Sequence, residues 1–124
     1  MQNALTISGN NLTLDDIYQV SHKHRPVEIE EKSMEQLVNT RKLVFELSGR
    51  GVPIYGCNRG VGWNKDKNVT SEMIIRFNSN MMHCHAVGVG PYAPQEDVMA
   101  AMLIRLNTVL LGCTGLSPEI AVLL

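Results

Sequence analysis

The chain has 124 residues, 44% of them hydrophobic and 19% charged, which suits a single globular domain spanning 1–124 with a core of modest size. A net charge of −1 with no basic stripe excludes a binder of nucleic-acid backbone, and no apolar run is long and uninterrupted enough for a membrane span. Three cysteines without a CxxC pair, and no basic-then-apolar leader, point to reduced thiols in a cytoplasmic protein.

Residues 4–7 read as a short strand closed by the turn-forming Ser8-Gly9-Asn10-Asn11. Thr13-Leu14-Asp15-Asp16 starts a helix with acidic residues at its positive end, running to about His22. Residues 26–30 alternate Val27 and Ile29 with Glu28 and Glu30, the pattern of a second strand. Ser33 is placed to cap a second helix, which carries Leu37, Val38, Leu43 and Val44 on a broad face and stops at Gly49 or Gly51.

An extended piece, Val52-Pro53-Ile54-Tyr55, leads into a glycine-containing loop up to Asn68, and a third helix begins near Thr70 and passes through Met81. Pro94 opens a fourth helix, apolar nearly all round from Val98 to Leu111. A chain this small has too few elements to surround such a helix, so self-association or a partner is expected. Ser117-Pro118-Glu119 begins a last helix. The fold class is therefore mainly α with a few short N-terminal strands: about five helices and two or three strands, the packing completed by oligomerisation.

Other patterns carry less. His22-x-His24 and His83-x-His85 could each pair two imidazoles in an extended segment, but no carboxylate cluster completes a metal site, and none is expected. Gly88-Val89-Gly90-Pro91-Tyr92-Ala93 fits a dinucleotide fingerprint literally, yet no βαβ strand precedes it and Pro91 removes an amide. Cys57 and Cys84 read as small buried thiols rather than nucleophiles.

The most informative string is Tyr55-Gly56-Cys57-Asn58-Arg59-Gly60-Val61-Gly62. Glycines let a rigid backbone approach a ligand closely, and a phenol held there can move protons. The string resembles the tyrosine loop of the histidine and phenylalanine ammonia-lyases, Tyr-Gly-x-Asn-Thr-Gly-Phe-Gly. Gly9-Asn10-Asn11-Leu12-Thr13 is similar to that family's opening Gly-x-x-Leu-Thr. The stretch from Asn80 through Cys84-His85 to Gly88-Val89-Gly90 is similar to its Asn-Leu-x-x-Ser-His-x-x-Gly-x-Gly. Arg105-Leu106-Asn107 with Gly112-Cys113-Thr114-Gly115 resembles its Arg-x-Asn helix and following Gly-x-Ser-Gly.

The resemblance implies an N-terminal segment of that fold. Tyr55 would take the place of the proton-abstracting tyrosine and His85 that of the pocket histidine. Gly56, Asn58, Gly60, Val61, Gly62, Trp63 and Cys84 would border a small-molecule substrate, while Arg105 and Asn107, like Asn58, would hold loop and helices together. Arg59 stands where the family has threonine, Val61 where it has phenylalanine and Cys84 where it has serine, so the pocket wall and its charge differ. The family builds its methylidene-imidazolone electrophile from an internal Ala-Ser-Gly, and the 124 residues contain only Ile7-Ser8-Gly9 and Leu47-Ser48-Gly49.

The expectation drawn from these departures is a cofactor-free enzyme. Tyr55, with His85 or Arg59, would catalyse dehydration, isomerisation or ring closure by conjugate addition on a polyketide-like secondary metabolite. Free tyrosine titrates near ~10, so a phenol acting as base at neutral pH needs a cation beside it, and Arg59 is the candidate. The alternative is a non-catalytic or split-enzyme subunit that lends its tyrosine loop to a larger ammonia-lyase-like chain. A homo-oligomer is expected in the first case.

Overall fold

A computed structural model describes residues 3–124. The elements in chain order are β1 (Leu5–Ile7), α1 (Leu14–Lys23), β2 (Val27–Ile29), α2 (Glu31–Gly49), α3 (Ser71–His85), α4 (Gln95–Val109) and α5 (Pro118–Leu123). The architecture is mainly helical with one small N-terminal sheet, as expected. Contacts divide the chain into two units: one runs to Leu43 and resumes at Tyr92, and the other is Val44–Pro91.

In the first unit, Leu5 and Ile7 point into the core while Thr6 faces out. β1 pairs in parallel with β2, Leu5 opposite Val27 and Ile7 opposite Ile29, so α1 is the crossover that a parallel pair requires. The start of α1 is local chemistry. The Thr13 hydroxyl accepts from the Asp16 amide at 3.2 Å and donates to the Asp16 carboxylate at 2.6 Å, a reciprocal cap. The helix ends at His24, whose left-handed backbone (φ 54°) lets its N–H reach the carbonyls of Gln19 and Val20.

α2 begins at Glu31, before the serine expected to cap it. The Glu30 carbonyl accepts from the Ser33 and Met34 amides. The Ser33 hydroxyl is instead buried, within hydrogen-bonding distance of the Glu30 carboxylate (2.9 Å) and the Ser8 carbonyl (3.2 Å). Around it Ile7, Leu37, Val109 and Leu110 are fully buried, with Val20, Leu103, Leu106 and Ala121 beside them, and α1 packs on α4.

Two glycine turns of the motif segments are explained by close approach. Gly9 has φ +97°, and a Cβ there would lie 3.0 Å from the Leu111 nitrogen. Its amide and carbonyl are both held by the Asn107 side chain, at 3.0 and 3.1 Å, across 98 residues of sequence. At Gly112 a Cβ would fall 2.6 Å from Gln36 Cγ. The turn there is fixed by α2, with Gln36 Nε2 donating to the Leu111 carbonyl and the Thr40 hydroxyl to that of Gly112.

α4 buries Leu103, Leu106 and Val109, while Val98, Met102 and Ile104 stay exposed on this chain. An apolar cleft of about 290 Å³ opens beside it, bounded by Val20, Ile29, Met102, Leu106 and Leu124. Among the described residues no helix is long and apolar enough to cross a membrane.

In the second unit the anticipated extended piece at residues 52–55 does not form a strand; Tyr55 makes an isolated bridge with Arg59. A short 3-10 turn, Gly62–Asn64, follows. α3 continues through His85, and none of its residues is buried; Met73, Ile75 and Met82 are exposed. His83 and His85 are therefore helical, not extended. Two positions apart on a helix they diverge by about 200°, which removes the geometric basis for a paired metal site.

Candidate functional site

The tyrosine loop is built within the second unit, between the end of α2 and the start of α3, from a chain of short-range hydrogen bonds. The Val52 amide donates to the Leu47 carbonyl, turning the backbone off α2. The amides of Cys57 and Arg59 both donate to the Ile54 carbonyl, folding residues 54–59 into a tight turn with Tyr55 on it. Gly56 has φ +72°, which a side-chain-bearing residue resists.

Asn58 closes this turn with its side chain. The Ile54 amide donates to Asn58 Oδ1 at 2.7 Å, and Asn58 Nδ2 donates to the Val52 carbonyl at 2.8 Å. One amide orientation satisfies both partners and its flip satisfies neither, so the assignment is fixed by chemistry. The Asn58 carbonyl in turn accepts from Val69, and the Gly60 amide donates to Lys67, closing the second half of the loop. Gly60 is buried, and a Cβ on it would lie 2.3 Å from the Asn64 carbonyl oxygen, so no side chain fits.

The two halves meet at the phenol: the Gly62 amide donates to Tyr55 Oη at 3.0 Å. Tyr55 is nonetheless 65% exposed. The loop holds the ring in a defined place without enclosing it. Arg59 is paired with Tyr55 through the backbone bridge, and its guanidinium donates to the Asp66 carbonyl at 3.1 Å, tying the loop's two sides together. Val61 is half-buried, and Trp63 is fully exposed at the tip of the 3-10 turn.

His85 shares none of the loop's hydrogen bonds. It sits at the end of α3, where its Nδ1 lies 2.8 Å from the Met81 carbonyl. A carbonyl only accepts, so Nδ1 donates to it, and in the neutral ring Nε2 is the acceptor. Cys84 beside it is exposed and Cys57 half-buried, so the reading of two small buried thiols fails at Cys84. α3 packs too little of its surface away to cover that position. A cavity of about 670 Å³ in this unit is bordered by Phe45, Cys57, Asn58, Thr70 and Glu72, not by Tyr55 or His85.

Sequence reasoning singled out Asn58 and Gly60 but could not assign their tasks. It missed Ile54 and Val69, whose backbone groups close the loop. No signal marks them, because backbone hydrogen bonding leaves no residue-type preference.

The electrophile of the family that this chain resembles is cyclised from an internal Ala-Ser-Gly. Ser8-Gly9 lies in the turn that Asn107 clamps, and Ser48-Gly49 ends helix α2. Neither is preceded by alanine, so these residues do not fit the group, and no step of the chemistry below is routed through it on this chain.

Known proteins share this fold. A probable histidine ammonia-lyase of Thermoplasma volcanium is 35% identical over 116 residues, covering 94% of this chain and 23% of that relative. An ergothioneine-degrading ergothionase from Treponema denticola, solved with desmethyl-ergothioneine sulfonic acid, superposes with a TM-score of 0.91 at 41% identity. It matches 96% of this chain and 24% of its own. A tyrosine aminomutase from Streptomyces globisporus shares the fold at TM-score 0.89 and 24% identity, again over 96% of this chain and 23% of the other. The chain thus spans about a quarter of the length of these proteins. The aromatic amino acid lyase family matches residues 12–124, and with the tyrosine loop, the clamped Gly9 turn and the Asn107 helix in place, the chain belongs to that family.

Proposed function

We propose that this chain carries the proton-abstracting tyrosine of a lyase acting on an imidazole-bearing amino acid, with the electrophile supplied by residues other than these 124. The observation that carries the reading is the phenol of Tyr55, tied to the Gly62 amide at 3.0 Å yet 65% exposed. An N–H aimed at a phenol oxygen holds that oxygen in one place, as a positioned base requires. The exposure leaves the open side for substrate and for the surface that completes the pocket.

In this scheme the Tyr55 oxygen takes a proton from the substrate carbon adjacent to the one bearing the amine. The electron pair becomes the new double bond and the amine departs. His85 offers Nε2 as an acceptor for a substrate N–H. The imidazole preference is supported by two relatives, one named for histidine and one for ergothioneine.

A second reading, the cofactor-free cyclase or isomerase, is favoured by the missing Ala-Ser-Gly together with Arg59 in the threonine position. It requires another copy of the chain to exclude water from Tyr55.

One experiment separates them. The native assembly is purified from its host, weighed, and assayed for consumption of histidine and ergothioneine, with Tyr55→Phe as the control. The lyase reading expects an Ala-Ser-Gly sequence in the assembly and a loss of about 10²–10⁴-fold in kcat on removing the phenol oxygen. Undiminished turnover by Tyr55→Phe refutes it. A homo-oligomer lacking Ala-Ser-Gly that converts an enone or a hydroxy acid establishes the second reading.

A further inference from the structure

Asn58 occupies the junction of two loops. Its side chain closes residues 52–58, the turn that carries Tyr55, through Ile54 and Val52. Its backbone carbonyl, accepting from Val69, closes residues 58–69, the segment that carries Gly62. These two segments supply the two partners of the Tyr55 Oη–Gly62 hydrogen bond. The side chain is half-buried, and each of its polar ends makes one bond within the loop, with donor and acceptor matched. It has one Nδ2 proton and one lone pair left, so a substrate contact would be secondary to the two bonds it already makes.

We infer that Asn58 is a positioning residue for the Tyr55 phenol: it sets the distance between Tyr55 Oη and the Gly62 amide and touches no reacting atom. The inference rests on the reading of Tyr55 as the base. Asn58→Leu keeps roughly the same volume and removes both bonds. Residues 52–55 then keep only the Val52 amide on the Leu47 carbonyl, the two amides on the Ile54 carbonyl and the phenol's own bond, and the phenol drifts from the Gly62 amide. A displacement of about 1 Å at a reacting group costs on the order of 100-fold in rate. Asn58→Asp keeps the acceptor for the Ile54 amide but sets a carboxylate oxygen against the Val52 carbonyl, and so loses one bond of the two.

The test uses the native assembly with Asn58→Leu, Asn58→Asp and Tyr55→Phe in parallel. It measures kcat and KM separately, together with amide hydrogen exchange over residues 52–69. The expected result is a kcat lower by about 100-fold in Asn58→Leu with KM within about 3-fold, and a smaller fall in Asn58→Asp. Exchange should rise at Gly62 as well as at Ile54, although Asn58 bonds only the latter directly. A merely structural role would lower the thermal midpoint and leave kcat per folded molecule and Gly62 protection unchanged, which overturns the inference. Should Asn58→Leu fail to assemble, Asn58→Asp decides by the same two readouts. If Tyr55→Phe retains full activity, the proposed function falls. Gly62 exchange then still judges Asn58: protection lost supports the positioning role, and protection kept overturns it.

Discussion

The bond between Gly9 and Asn107 should be measurable as a coupling energy between the two ends of the first unit. Asn107→Ala removes two hydrogen bonds and leaves the buried Gly9 amide and carbonyl unmatched, a loss of about 1–3 kcal/mol at 0.5–1.5 per bond. Gly9→Ala acts on the same contact from the other side. Its φ of +97° is unfavourable for alanine by roughly 1–2 kcal/mol. The new Cβ would also stand 3.0 Å from the Leu111 nitrogen and 3.1 Å from the Leu110 carbonyl carbon, both backbone, so the turn itself must move away from α4. That movement breaks the bonds Asn107 makes. The two substitutions therefore share one loss, and the double variant should be less destabilised than the sum by about 1–3 kcal/mol. Urea denaturation of the four proteins, followed by far-ultraviolet circular dichroism, gives each free energy. Additivity within about 0.5 kcal/mol would refute the reasoning, because it would mean that alanine fits at Gly9 without disturbing Asn107.

At the start of α1, Asp16 is held below the usual carboxylate range, first by the Thr13 hydroxyl, with the Thr13 amide and the Arg25 guanidinium helping against burial. A depressed folded value means that the stabilisation is present above the carboxylate's ordinary pKa and is lost as pH falls through the lower folded one. Thr13→Val should cost about 1 kcal/mol at neutral pH and shrink this acid-induced loss without abolishing it, since Arg25 remains 3.3 Å from Asp16. Thermal melts from pH 7 down to pH 2 test this, and an unchanged acid limb would contradict it. In the tyrosine loop, Gly60→Ala must push the Asn64 carbonyl back from 2.3 Å to ordinary contact, dragging the Gly62 amide off the phenol. A fall of about 100-fold in kcat of the native assembly is expected, and a fall below about 3-fold would show that the loop absorbs the Cβ elsewhere.

Local chemistry was legible in the sequence and long-range contact was not. Thr13 and Asp16 are three positions apart and make their cap without help, so α1 could be placed from the string alone. Ser33 looked equally like a cap, but its hydroxyl lies 3.2 Å from Ser8, 25 residues back, and a buried site turned a capping residue into a tether. The order of the tyrosine loop, the His85 helix and the Asn107 helix followed from motif spacing, and the family match over 12–124 agrees with it. The division of labour among those residues did not follow. Asn58 bonds backbone groups of Ile54 and Val52, which any residue type could present, so only coordinates show that its side chain is occupied. α3 was expected to pass through Met81, and its run to His85 went unread because His83-x-His85 looks like an extended pair; in the helix each imidazole Nδ1 lies within hydrogen-bonding distance of the carbonyl four residues before it.

The first unit is discontinuous, its core drawing Ile7 from before Val44–Pro91 and Leu110 and Ala121 from after it. During synthesis β1 is made before α4, whose Leu103, Leu106 and Val109 share its core. All of Val44–Pro91 has to be translated in between, so the α4 part of this core joins β1 only after that segment has been made. Pairing residues so far apart also makes for a slow closing step. The folding rate of this protein should therefore be governed by how soon the segment after Tyr92 arrives, and a pause in translation before α4 would lengthen the exposure of Leu5 and Ile7 more than a pause anywhere inside the tyrosine loop.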